Sequence, residues 1–232
     1  MPSYEPGFYG PPMADFTLYI GNKAYSSWSL RGWLACRLAG IGFDEVVIPL
    51  AGGTTPAIAK HSPSGKVPLL RHGDLLVWES LAIGEYLHDL SPRAGLWPED
   101  RAPRAHARAI AAEMHAGFAD LRRAMWMNTR KRFPGKGRTP EALANIARIC
   151  AIWRETRQRY GGGGPFLFGT AMTMADAMYA PVVSRFVTWE PALPDDAKDY
   201  VAAVWDYPLL QEWQRGADAE SWVIEKYEVP GS

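Results

Sequence analysis

The chain has 232 residues, 47% of them hydrophobic, and its 25 basic and 25 acidic side chains cancel. That length and apolar content suffice for one or two domains with a sizeable core. The balance leaves no charge excess to hold nucleic acid or an anionic membrane surface, and no stretch approaches the roughly 18 continuous apolar residues of a membrane span.

Residues 1–15, rich in Pro, Gly and Tyr, read as a flexible extension and lack the basic-then-apolar pattern of a signal peptide. Phe16 to Ile20 is a short apolar strand and Gly21 to Tyr25 a loop. Ser26-Ser27-Trp28-Ser29-Leu30-Arg31 then opens an amphipathic helix with Leu30, Leu34, Leu38 and Ile41 on one face, ended by Gly40 and Gly42. A second strand within Glu45 to Leu50 completes a β-α-β unit, whose crossover implies parallel strands. Thr55-Pro56 starts a short helix through Lys60. Leu69 to Arg71 and Leu75 to Trp78 are strands joined by His72-Gly73-Asp74, and Glu79-Ser80 opens a helix to about Asp89.

Past a linker at 93–102 the composition turns Ala- and Arg-rich. The pattern predicts one long helix over 104–131 and another over 141–160, with a hard break at Gly161 to Gly164. Thr173-Met174-Ala175-Asp176 has capping-box spacing, with Asp in place of Glu, ahead of an apolar helix. Pro181 should kink that helix or confine it to short turns. Shorter helices run to about Arg215, and a tail begins at Trp222. The expected organisation is an α/β domain over 16–92 (βαβ followed by ββα) and an all-α domain over 103–232. Cys36 and Cys150 fall inside helical patterns, outside any CxxC or metal-ligand spacing; buried thiols in a reducing cytoplasm suit them.

Three places carry chemistry. Hydroxyls at a helix N-terminus, at Ser26 and Ser27, favour an anion such as a thiolate. Val67-Pro68 precedes a strand; with a cis bond it turns the Val67 backbone outward, where an extended peptide ligand can pair with it. Glu79-Ser80 stands at a strand-to-helix junction, where Ser80 can cap while its N–H meets a carboxylate and Glu79 meets an ammonium. Taken singly, each is also an ordinary cap or loop.

In this order the three features resemble the glutathione S-transferase family. The matching text is Ser26-Ser27-Trp28-Ser29 with Arg31, Ser62-Pro63-Ser64-Gly65-Lys66-Val67-Pro68-Leu69-Leu70, and Trp78-Glu79-Ser80-Leu81-Ala82-Ile83-Gly84-Glu85-Tyr86-Leu87. The Thr173–Asp176 box and Pro181 fit the same family, and the resemblance covers about residues 16–215. It implies a thioredoxin-like domain, a helical domain, a cytoplasmic homodimer and glutathione as co-substrate, with no metal. By position, Val67 and Pro68 would take the cysteinyl part of glutathione, Glu79 and Ser80 the γ-glutamyl end, and Lys66 and His61 the glycyl side.

The first loop is most similar to the zeta class, whose pattern is Ser-Ser-Cys-Ser. That match makes Ser26 the activating hydroxyl and Ser27 its helper, with Tyr25 and Tyr19 as rivals. Trp28 stands where the pattern has Cys, which argues against a protein-thiol mechanism. The second substrate, a small electrophile, would lie against Trp28, Met125, Trp126 and Met127, with Arg122, Arg123 or Arg130 near any anionic group; the same Met and Trp side chains also suit plain helix packing. The implied activity is conjugation of glutathione to an electrophilic carbon. A glutathione-dependent cis–trans isomerase and a non-catalytic glutathione-fold interaction protein are the alternatives.

Overall fold

The first strand is buried on both faces, between two sheet neighbours and beneath α-helical cover. β1 (Phe16–Ile20) is buried throughout. It pairs in parallel with β2 (Asp44–Val47), Tyr19 lying opposite Val46. On its other edge it runs antiparallel to β3 (Leu69–His72), Leu18 lying opposite Leu70. β3 pairs antiparallel with β4 (Leu75–Trp78), giving the sheet order β2-β1-β3-β4. The computed structural model describes residues 16–53 and 55–228, so the extension expected at 1–15 lies outside the described residues.

α1 (Ser27–Leu38) follows β1, the four-residue α2 (Pro56–Ala59) precedes β3, and α3 (Ser80–Leu90) follows β4. α1 is not the amphipathic helix its leucine spacing suggests. Ser27, Ser29, Arg31, Trp33 and Cys36 are buried along with Leu30 and Leu34, because α1 lies between the sheet and the second half of the chain. Two glycines permit close approach. A Cβ at Gly32 would meet the Pro68 ring at 2.8 Å, and one at Gly84 the Met174 sulfur at 2.9 Å.

The expected long helix over 104–131 is instead two helices and an irregular segment. α4 (Arg101–Ala116) stops where Gly117 turns extended and Phe118 adopts φ 62°. The short α5 (Ala119–Ala124) follows. Arg122 ties the break together, its Nε donating to the Gly117 carbonyl at 3.1 Å and an Nη to the Met114 carbonyl. Met125, Trp126 and Met127 therefore lie off any helix. Their segment is clamped to the end of α7 (Met174–Trp189): Arg185 Nε donates to the Met125 carbonyl at 2.8 Å and Trp189 Nε1 to the Trp126 carbonyl at 2.9 Å.

α6 (Pro140–Tyr160) is capped by Thr139, whose hydroxyl accepts from the Ala142 N–H at 3.2 Å. α7 runs unbroken through Pro181, contrary to the expectation of short turns, with all but one of its 16 residues buried. Its cap is the Thr173–Asp176 box, in which Asp176 also accepts from the Leu167 N–H at 3.0 Å and the Tyr200 hydroxyl at 2.9 Å. α8 (Asp195–Trp205) and α9 (Pro208–Ala219) complete the helical layer. Residues 220–228 then return across the 21–26 loop: the Glu220 carboxylate accepts from the Lys23 and Ala24 N–H groups at 2.7 and 3.3 Å.

Candidate active site

The loop after β1 is held from several sides. The Asn22 carbonyl accepts from the Ser26 N–H at 2.8 Å, Asn22 Oδ1 accepts from the Leu50 N–H at 2.6 Å, and Trp213 Nε1 donates to the Lys23 carbonyl at 3.0 Å. Ser26 is thereby fixed as the N-cap of α1, its Oγ accepting from the Ser29 N–H at 3.3 Å. Its hydroxyl donates to Ser29 Oγ at 2.8 Å, and that oxygen accepts from the Gly21 N–H at 2.9 Å. The N–H groups of Ser27 and Trp28 lie ahead of the helix's own hydrogen-bond ladder, as first-turn N–H groups do.

Ser26 and Trp28 line two adjoining cavities. The larger, about 710 Å³, is walled by Lys66, Val67, Pro68 and Glu79, with His115 and Ala116 from the second half of the chain. The smaller, about 350 Å³, takes Tyr25 and Ser27 on one side and Arg122, Trp126, Met127 and Arg185 on the other, with Lys226 and Tyr227 from the tail. The Val67-Pro68 bond is cis.

Several expected site residues fall elsewhere. Ser80 does not cap α3: the N-cap is Glu79, at φ 68° and without a side-chain cap bond. The Ser80 side chain is buried, its hydroxyl 4.0 Å from the Met178 sulfur, which leaves its helix-first N–H as the group able to meet a ligand. His61 stacks on Tyr19 with ring centroids 4.7 Å apart, and neither lines either of these two cavities; Tyr19 packs with Ile48, Ile58 and Leu69. Met125 is fully buried core. Arg130 holds the tail, donating to the Glu220 and Trp222 carbonyls at 2.7 and 2.8 Å and to the Tyr25 hydroxyl at 2.7 Å. That hydroxyl donates in turn to Glu228 at 2.6 Å. Burial, then this bond, pushes the Tyr25 pKa up, and the hydroxyl is engaged by both Arg130 and Glu228. Arg123 pairs with Asp120 at the surface.

His115 and Arg185 are among the cavity residues that went unmarked in the sequence. His115, in the last turn of α4, lies edge-on to Trp28 at 5.1 Å. Arg185 reaches the smaller cavity from α7. Both contacts join segments distant in sequence, and neither residue carries a local motif. Arg31 belonged to the motif only as text. In the fold it is fully buried, its guanidinium 4.6 Å from the centre of the Trp28 ring, with Arg122 at 4.8 Å from the same ring.

Comparison with known proteins gives two family models. "Glutathione S-transferase, N-terminal domain" matches residues 25–90, and "Glutathione S-transferase, C-terminal domain" matches residues 104–214. A carnation (Dianthus caryophyllus) protein, Glutathione S-transferase 1, is 37% identical over 90 residues, 38% of this chain and 40% of the relative. A probable maleylacetoacetate isomerase from Caenorhabditis elegans is 27% identical over 168 residues, covering 72% of this chain and 76% of the relative. Among solved structures, a glutathione transferase homolog from Burkholderia with bound glutathione has a TM-score of 0.67 at 24% identity, covering 89% of this chain and 100% of the other. At that identity the likeness concerns the fold.

Proposed function

The chain belongs to the glutathione S-transferase family, and from that premise we propose that it conjugates glutathione to small electrophiles at the junction of the two cavities. The observation that carries this reading is Ser26, a buried hydroxyl at the N-cap of α1 where both cavities meet. In this reading glutathione lies in the larger cavity. Val67 and Pro68 flank its cysteinyl part, Glu79 takes the γ-glutamyl ammonium, the Ser80 N–H takes the carboxylate beside it, and Lys66 lies near the glycyl end.

The chemistry asks little of the protein. Shifting a thiol with a pKa near 8.5 down by about 2 units needs about 2.7 kcal/mol of preference for the thiolate. A hydrogen bond to a charged acceptor contributes about 1.5–3 kcal/mol, and a helix N-terminus about 0.3–1 kcal/mol. Ser26 now points its proton at Ser29, and rotation about one C–O bond turns it to the cavity. With an aryl halide the thiolate forms the new C–S bond, and the halide leaves with the electron pair of the broken bond. Cys36 and Cys150 take no part. Both are buried, and burial pushes their thiols up to about 12 and about 11. A homodimer is part of the same reading.

The smaller cavity favours a second reading. Arg122 lines it, as a glutathione-dependent cis–trans isomerase would require for an anionic substrate. There the same thiolate adds to a double bond, the adduct rotates, and the thiolate leaves. Turnover of 1-chloro-2,4-dinitrobenzene alongside calorimetric glutathione binding tests the transferase reading. Binding with no turnover would overturn it in favour of a non-catalytic role.

A further inference from the structure

The smaller cavity stands against a cluster of positive charge. Arg122, Arg185 and Lys226 line it, and among the described residues no carboxylate does. Arg31 lies behind Trp28, and after burial itself the charges of Arg122 and Arg185 depress its pKa. Each guanidinium spends its Nε on a backbone carbonyl. Arg31 donates to Met178 at 2.9 Å, Arg122 to Gly117 at 3.1 Å and Arg185 to Met125 at 2.8 Å.

What remains is unusual for a protein interior. Both Nη atoms of Arg31 and Nη1 of Arg122 are buried without a hydrogen-bond partner among the described residues. Buried charges are normally paired, and an unpaired one is strongly unfavourable. Arg185, fully buried, is lowered to about 9 by burial and then by Arg122. Lys226 adds a fourth cation at the mouth, where its Nζ donates to the Gly52 carbonyl. Of the acids nearby, Glu228 is engaged behind the wall by Tyr25, Asn128 and Lys131, and Glu79 lines the larger cavity, 3.4 Å from His115.

We infer that the smaller cavity is a carboxylate-binding subsite, so that the second substrate is an electrophile bearing a carboxylate, drawn to Arg122 and Arg185 with Arg31 reinforcing the field from behind Trp28. The electrophilic part rests on the transferase reading; the anionic part rests on the arginine cluster. Trp28 and Trp126 supply aromatic lining, and the ligand's carboxylate would lie toward the arginines and its reactive carbon toward Ser26.

The test uses two unreactive probes of matched shape, 3,5-dinitrobenzoate and 3,5-dinitrobenzamide, titrated by calorimetry into the full chain. A charge-assisted bond to Arg122 predicts a preference for the benzoate of about tenfold or more, reduced to near parity in Arg122→Met. Circular dichroism and a cooperative melt show whether that variant is folded; if it is not, the wild-type pair alone decides. Equal affinity for the two probes, or binding of neither, overturns the inference. Glutathione titrated in parallel separates the two ideas. Glutathione binding without benzoate preference sinks only the carboxylate subsite, and benzoate preference without glutathione binding sinks only the transferase reading.

Discussion

The Nε2 atom of His115 lies 3.4 Å from the Glu79 carboxylate, linking the last turn of α4 to the left-handed residue that opens α3. Burial lowers the His115 pKa, with Glu79 opposing and Arg31 and Arg122 reinforcing that shift. A histidine depressed in the folded state holds fewer protons folded than unfolded. Its contribution to stability is therefore complete above about 6.5 and is lost as pH falls from there through the folded value. His115→Gln should flatten the dependence of the urea midpoint on pH in that window. A variant as steep as the wild type there would show that His115 is not the group responsible.

Ser26→Ala removes both a helix cap and the hydroxyl nearest the junction of the cavities. Conjugation should fall roughly a hundredfold in kcat, while glutathione affinity changes little and stability drops by about 1 kcal/mol. Tyr19→Phe is the control: its ring is stacked on His61 away from both cavities, so turnover should stay within about twofold. Steady-state kinetics on an aryl halide reads both; a Tyr19 variant that loses activity while Ser26→Ala keeps it would reverse the assignment.

Asp176 is fully buried and accepts from Leu167, Thr173 and Tyr200. Replacing it with Ala strands those donors and uncaps α7. The expected loss is about 3–5 kcal/mol, readable as a lower urea midpoint. Asp176→Asn keeps part of the network and should lose less.

Arg130→Met cuts the bonds from one guanidinium to the Glu220 and Trp222 carbonyls and to Tyr25. Amide exchange over residues 221–228 should accelerate by roughly tenfold to a hundredfold, corresponding to about 1.5–3 kcal/mol of local opening. Exchange in α6, remote from the tail, should not move.

Periodicity and turn chemistry made most of the fold legible before any coordinates. The four strands, the helix over 141–160 and the Thr173–Asp176 cap are local signals, and the fold keeps them. The errors share a cause. Residues 104–131 are good helix formers throughout, and only Gly117 hints at a stop; the turn is set by Phe118 and by Arg122 closing on the Met114 and Gly117 carbonyls. That break moves Trp126 and Met127 onto the cavity wall and Met125 into the core. The places of Ser26, Val67 and Glu79 at the larger cavity were readable because each sits on a local turn or cap. His115, Arg185 and the placement of Arg31 beside Trp28 arise from tertiary packing, which sequence spacing does not encode.

α7 has a consequence for how the chain folds. It is buried along nearly its whole length and packs against α1 of the first half as well as α4 and α8 of the second. The two halves therefore share one interior and do not own separate ones. A fragment ending near residue 92 would leave Arg31, Trp33 and Cys36 bare of their cover. Melting should proceed as one cooperative event, and the cavities at the seam exist only when both halves are in place.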